Sequence, residues 1–242
     1  MIMHRLFIFI LLLVSSCQEN EVEITKIENN YTNMNTNSNP NSNTTPALNF
    51  LALGDSYTIG ESVEPTERWP FQLTEILKNA GYNYSQLKII AQTGWTTNEL
   101  KAAINAQNIQ QKYDLVTLLI GVNDQFRGRD VESFRIEYID VLNMAIALAD
   151  GKPGNVVVVS IPDWGVSPFG NSRDREKISN EINLFNSVKK EETINLNVEF
   201  IDITEISRKA LNNDLYIASD NLHFSGAMYK LWAQEIFDKF FN

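Results

Sequence analysis

Histidine and cysteine are nearly missing from these 242 residues, which hold two of the first and one of the second. A lone Cys17 closes no internal disulfide, so the chain is not a small scaffold stapled by bridges. His4 lies in an apolar leader, which leaves His223 as the sole imidazole of the body, and no His/Cys set able to hold zinc can be assembled. No apolar stretch reaches the ~20 residues that a membrane-spanning helix needs, since the run Leu6 to Val14 stops well short. There is no basic cluster to offset a net charge of -10, which argues against nucleic acid and anionic membrane surfaces as partners. Glycine-rich phosphate loops and a Gly-x-Ser-x-Gly elbow are absent too, so neither nucleotide chemistry nor the α/β-hydrolase fold is indicated. What remains, at 43% hydrophobic and 21% charged residues, has the composition of one ordinary globular domain.

The leader has its own logic. His4 and Arg5 precede the apolar run, and Val14-Ser15-Ser16-Cys17 follows it and resembles the bacterial lipobox. Residues 1–16 are therefore expected to be a lipoprotein signal peptide, with diacylglyceryl attachment at Cys17 once cleavage exposes it. Two or three acyl chains suffice for stable anchoring where one does not. Cleavage removes Arg5 and no acidic residue, taking the net charge to -11. Residues 17–48 are expected to be a disordered tether, because Asn29 to Asn49 is mostly Asn, Thr and Ser with too little apolar content to repay the entropy of ordering. The expected location is the cell envelope, membrane-bound through Cys17, with residues 49–242 as a soluble and monomeric domain.

Within that domain short β-rich runs alternate with helical patterns. Strands are expected at Phe50–Leu53, Leu87–Ala91, Leu115–Ile120, Val156–Ser160 and Val198–Ile201. Helices are expected at Phe71–Asn79, Asn98–Ala106, Val131–Ala149, Asp174–Glu191 and Ala227–Phe241. The spacing of Phe134, Tyr138, Val141, Leu142, Ala145 and Leu148 defines one buried helical face. The unbroken run Val156-Val157-Val158-Val159 suits a strand covered on both sides. Five such strands predict an α/β fold, a three-layer α/β/α sandwich around a five-stranded parallel sheet. Ligands bind such sheets outside the carboxyl ends of the strands. Three polar turns fall there: Gly54-Asp55-Ser56, Gln92-Thr93-Gly94 and Gly121-Val122-Asn123-Asp124.

A serine hydroxyl is a poor nucleophile unless an imidazole takes its proton, and the imidazole needs a carboxylate to fix its tautomer. Ser56, His223 and Asp220 supply the three parts. The oxyanion of acyl transfer needs fixed donors, assigned to the backbone N–H groups of Ser56 and Gly94 and the side-chain amide of Asn123. Gly94 lets the backbone approach without a Cβ. Asp55 and Asp124 are read as turn residues bonding nearby N–H groups. Activity should fall on acidification as His223 protonates.

Gly-Asp-Ser, then Gly, then Gly-x-Asn-Asp, then Asp-x-x-His, in that order, resembles the SGNH/GDSL hydrolases from Phe50 to the C-terminus. The resemblance implies a flavodoxin-like sheet and the roles just given to Ser56, Gly94, Asn123, Asp220 and His223. No cofactor is expected, and no metal, for want of ligands. Phe224 stands where members often carry Pro, which puts the rigidity of the His loop in question. Trp69, Trp95 and Trp164 lie in or beside the loops of the site, and Trp95 and Trp164 are candidates to contact substrate; Val166 to Asn171 is expected to be a mobile rim. The substrate is expected to be a lipid, acylated-glycan or other small acyl ester, Gly54 to Gly60 with Arg68-Trp69-Pro70 resembling lysophospholipase-like members. A thioesterase or acyltransferase would use the same residues, and a catalytically silent binding lipoprotein would keep the fold.

Overall fold

A computed structural model describes residues 47–241. The expected signal peptide, Cys17 and nearly all of the expected tether lie outside the described residues. Strands β1 (Leu48–Gly54), β2 (Tyr84–Ala91), β3 (Leu115–Leu119), β4 (Val156–Val159) and β5 (Glu199–Ile201) form one sheet in the order β2-β1-β3-β4-β5. Every neighbouring pair is parallel. β3 and β4 are buried along their whole length, as their uninterrupted apolar runs require, whereas edge strand β2 is half-exposed and starts in the polar Tyr84-Ser85-Gln86 stretch.

The connections are α1 (Ser56–Ile59), α2 (Trp69–Asn79), α3 (Thr97–Ala106), α4 (Val122–Phe126), α5 (Val131–Leu148), α6 (Arg175–Asn195), α7 (Thr204–Arg208) and α8 (Gly226–Phe240). Passing from β1 to β2 moves the chain one way along the sheet, and all later crossovers move it the other way. Right-handed connections therefore put α2 on the face opposite α3, α5 and α6. The contacts agree, since α2 packs on α8 while α3 and α6 pack on α5. The result is a three-layer α/β/α sandwich with the strand order of flavodoxin-like sheets.

The buried face of α5 is the expected set, Phe134, Tyr138, Val141, Leu142, Ala145 and Leu148. Burying a large apolar side chain of this kind stabilises the fold by about 1.5–3 kcal/mol. In α8 the buried stripe is Met228, Tyr229, Trp232, Ala233, Ile236 and Phe240, with Leu231 half-buried at its edge. Ser225 caps this helix, its side chain accepting from Met228 N–H. Helix α6 carries a lysine into the interior. Lys189 is fully buried, and its Nζ donates to the Ile120 and Val159 carbonyls at 2.8 and 3.0 Å. It thereby satisfies acceptors that the ends of β3 and β4 would otherwise leave buried and unpaired.

Gly54 ends β1 where no side chain fits. A Cβ there would stand 2.1 Å from Thr58 Oγ1 and 2.4 Å from the Leu119 carbonyl. That close approach seats the first turn of α1, and Ser56 with it, directly on the sheet.

Candidate functional site

Three of the short helices, α1, α4 and α7, begin just past the carboxyl ends of β1, β3 and β5. Asp55 caps α1, its Oδ1 accepting from Tyr57 N–H at 3.0 Å, so Ser56 is the first helical residue. Its N–H has no carbonyl four residues back within the helix and remains a donor at a helix N-terminus. Ser56 is buried. Asp55 is wholly buried, with Oδ2 unpartnered among the described residues; burial pushes its carboxyl up, against the pull of Tyr57 N–H and the Lys189 cation.

Asp220 and His223 lie on one turn. His223 Nδ1 is 2.6 Å from Asp220 Oδ2, and Asp220 Oδ1 accepts from the Leu222 and His223 N–H groups, each at 2.9 Å. Asn221 takes the left-handed backbone this turn needs, with φ +62°, a conformation Asn tolerates better than most residues. The doubt raised by Phe224 resolves here. Ile217 and Phe224 form an antiparallel bridge, Ala218 N–H donates to the His223 carbonyl at 2.8 Å, and the Phe224 ring is buried against Tyr57 and Trp232. Packing and pairing hold the loop where proline would have restricted it.

Two contacts bring this loop to the serine helix. The Tyr57 ring meets the His223 ring edge-on at 5.5 Å, and Ser62 Oγ donates to Asp220 Oδ2 at 2.8 Å. Ser62 follows α1 with φ +63°, a left-handed value unusual for serine. No hydrogen bond among the described residues joins Ser56 Oγ to His223, a link that often tightens only when substrate is bound.

The remaining loops close the site. Asn123, on α4, donates its side-chain amide to the Trp95 carbonyl at 2.9 Å, and Arg127 donates to the Gly94 carbonyl at 2.7 Å. Thr93 and Glu61 are hydrogen-bonded, tying the loop after β2 to the one after α1. Gly94 has φ +86°, and this, more than crowding, calls for glycine: a Cβ would find no protein atom nearer than Arg127 Nη2 at 4.0 Å. Asp124 is no local turn residue. Its Oδ2 accepts from both Thr97 N–H and Thr97 Oγ1 at 2.9 Å, and Arg129 pairs with Oδ1 at 2.9 Å, so it locks α4 to the start of α3.

The tryptophans are placed differently from one another. Trp69 is fully buried and Trp95 half-buried. Trp164 is only 3% exposed and donates Nε1 to Gln125 Oε1 at 2.8 Å. The rings open to solvent beside it are Phe126 and Phe169, at 46% and 37% exposure. The expected mobile rim is two 3-10 turns, Trp164–Val166 and Pro168–Ser172, fastened by Ser167 Oγ to the Trp164 carbonyl and by Phe169 N–H to the Asn221 carbonyl at 3.0 Å.

The Asp220 contacts carry a pH signature. Burial alone raises this carboxyl, but hydrogen bonds from the His223 ring, the Leu222 and His223 N–H groups and Ser62 outweigh it and bring it down to about 2. The folded-state value lies below the 3.8 of an ordinary Asp, so the stability these bonds supply is complete above 3.8 and is lost as pH falls towards about 2. Urea unfolding across that window should show a steeper loss for the native chain than for Asp220→Asn. Parallel curves would mean that the turn contributes nothing to acid stability.

The family model for the GDSL-like lipase/acylhydrolase family matches residues 52–231. Among solved structures, a lipase/acylhydrolase from Enterococcus faecalis superposes with a TM-score of 0.62 at 22% identity, covering 78% of this chain and 93% of that one. The psychrotrophic esterase EstA from Pseudoalteromonas sp., inhibited by monoethylphosphonate, gives 0.59 at 18%, covering 78% and 94%. The acetylxylan esterase Axe2 from Geobacillus stearothermophilus gives 0.61 at 19%, covering 80% and 94%. At these identities the structures establish the shared fold. No curated protein sequence matches the chain. The family match begins within β1 and ends within α8, taking in every loop that meets at the sheet's carboxyl edge, and the chain belongs to the GDSL-like lipase/acylhydrolase family of hydrolases.

Proposed function

We propose that this chain hydrolyses carboxylic esters through an acyl-enzyme on Ser56. The observation that carries the reading is the 2.6 Å contact between His223 Nδ1 and Asp220 Oδ2, on a loop that Tyr57 and Ser62 hold against the helix bearing Ser56. With Nδ1 facing the carboxylate, Nε2 of the neutral imidazole is the base. It takes the Ser56 proton as Oγ attacks the ester carbonyl, then gives that proton to the leaving alcohol oxygen as the C–O bond breaks. Water, deprotonated by the same nitrogen, attacks the acyl-serine and releases the acid. The transient oxyanion is met by the N–H groups of Ser56 and Gly94 and by the Asn123 amide, whose second N–H is not needed for the Trp95 carbonyl. No cofactor enters this scheme. Lipid esters and acylated glycans are the substrate classes favoured, in keeping with relatives described as a lipase/acylhydrolase and an acetylxylan esterase. Release of p-nitrophenol from acetate and longer acyl esters, with Ser56→Ala as control, tests the proposal.

Ser62 is proposed as a positioning residue that sequence reasoning missed. Removing its hydrogen bond in Ser62→Ala should lower turnover by about 3- to 10-fold, the weight of one bond to a charged group at a partly exposed site. The loss should fall on kcat with KM little changed. An unaltered kcat would leave Ser62 a bystander.

We also propose that the domain is anchored to the cell envelope through lipidated Cys17. Palmitate labelling should vanish in Cys17→Ala, and label that persists there would overturn the assignment.

A further inference from the structure

Arg173 follows the 3-10 turn Pro168–Ser172, and its guanidinium carbon sits over three rings: Phe169 at 4.7 Å, Phe126 at 5.2 Å and Trp164 at 5.4 Å. It is exposed, and among the described residues its side chain makes no hydrogen bond or ion pair. On the same side of the site, Arg127 is engaged with Gly94 and Glu99, and Arg129 with Asp124 and Glu137. Each contact is a cation–π one, and none engages a guanidinium N–H with a polar partner, so the planar fork of donors is left without one among the described residues. Such a fork suits the oxygens of a phosphate or carboxylate. In a chain of net charge -10, an unpaired cation braced by two solvent-exposed rings calls for a ligand of opposite sign.

The patch adjoins the site from two directions. Phe126 is on α4, one turn beyond Asn123, and Phe169 N–H is bonded to the Asn221 carbonyl, within the Asp220–His223 turn. The imidazole protonates the leaving alcohol, so a surface joined to its loop lies on the alcohol side of the ester. We propose that Arg173, braced by Phe126 and Phe169, binds an anionic group, phosphate or carboxylate, on the alcohol portion of the substrate. The inference rests on the ester-hydrolase reading and narrows its substrate class.

Matched esters test it. Glycerol monobutyrate is compared with its 3-phosphate, and the carboxamide of O-acetylglucuronic acid with the free acid. For at least one pair, kcat/KM should favour the anionic member by roughly 10- to 100-fold, the weight of hydrogen bonds to a charged group. The ratio should fall towards one in Arg173→Met, be partly kept in Arg173→Lys, and shrink as salt is raised. The pair that responds identifies phosphate or carboxylate. A native enzyme without preference, or one whose preference survives in Arg173→Met, overturns the proposal. Failure of the ester reading looks different: no member of either pair is cleaved. Calorimetric binding of glycerol 3-phosphate and glucuronate to native and Arg173→Met protein then decides the anion site, and equal affinity or no binding rejects it.

Discussion

Ser56→Ala should lower kcat for p-nitrophenyl esters by on the order of 10⁴- to 10⁶-fold while leaving the thermal unfolding midpoint within a few degrees of the native value. The size follows from what is lost. Without Oγ no covalent intermediate forms, and only the donors around the carbonyl remain to favour direct attack by water. Stability changes little because Ser56 makes no side-chain bond that the fold depends on, whereas the cap of α1 belongs to Asp55. The more discriminating measurement is the double variant Ser56→Ala with His223→Ala. Groups that work as a unit are strongly non-additive, so the second substitution should add almost nothing. Two losses that multiplied would mean that the hydroxyl and the imidazole act separately, and the acyl-enzyme scheme would fail.

Asn123→Ala is expected to cost on the order of 10²–10³ in kcat, about 3–4 kcal/mol, with a much smaller change in KM. A donor aimed at charge that develops only during the reaction acts on the barrier more than on substrate affinity. The side chain also donates to the Trp95 carbonyl, so a structural contribution has to be separated. Losing that bond should lower stability by about 1 kcal/mol, read from denaturant unfolding, and this is too little to explain a hundredfold loss of turnover. Unchanged kcat beside reduced stability would make Asn123 a loop fastener and remove it from the oxyanion hole.

Much of this architecture is legible in the residues, and the parts that are not share a cause. Val156 to Val159 and the Phe134-to-Leu148 stripe announce a covered strand and an amphipathic helix because their periods persist over several residues. Helices α1, α4 and α7, of four or five residues, are too short to show a period, so Ser56 and Asn123 read as turn residues although each lies at a helix start. Asp220 and His223 are legible as a pair because they are neighbours in sequence. Ser62, Asp124 and Lys189 are opaque because their partners are distant: Ser62 bonds across 158 positions, Asp124 across 27 and Lys189 across 69 and 30. A lysine in a helix of mostly polar residues reads as a solvated face, and only the carbonyl ends of β3 and β4 explain its burial. Trp164 misleads in the opposite sense, an aromatic beside the site whose indole is spent on Gln125 and whose neighbours Phe126 and Phe169 take the surface.

The four-residue turn that carries both Asp220 and His223 has a mechanical consequence. The contact between the imidazole and the carboxylate lies inside that one segment, so any displacement of the segment carries His223 and Asp220 together with that contact intact. What such a displacement would change is the pair's distance from the Ser56 hydroxyl and its ties to Tyr57 and Ser62.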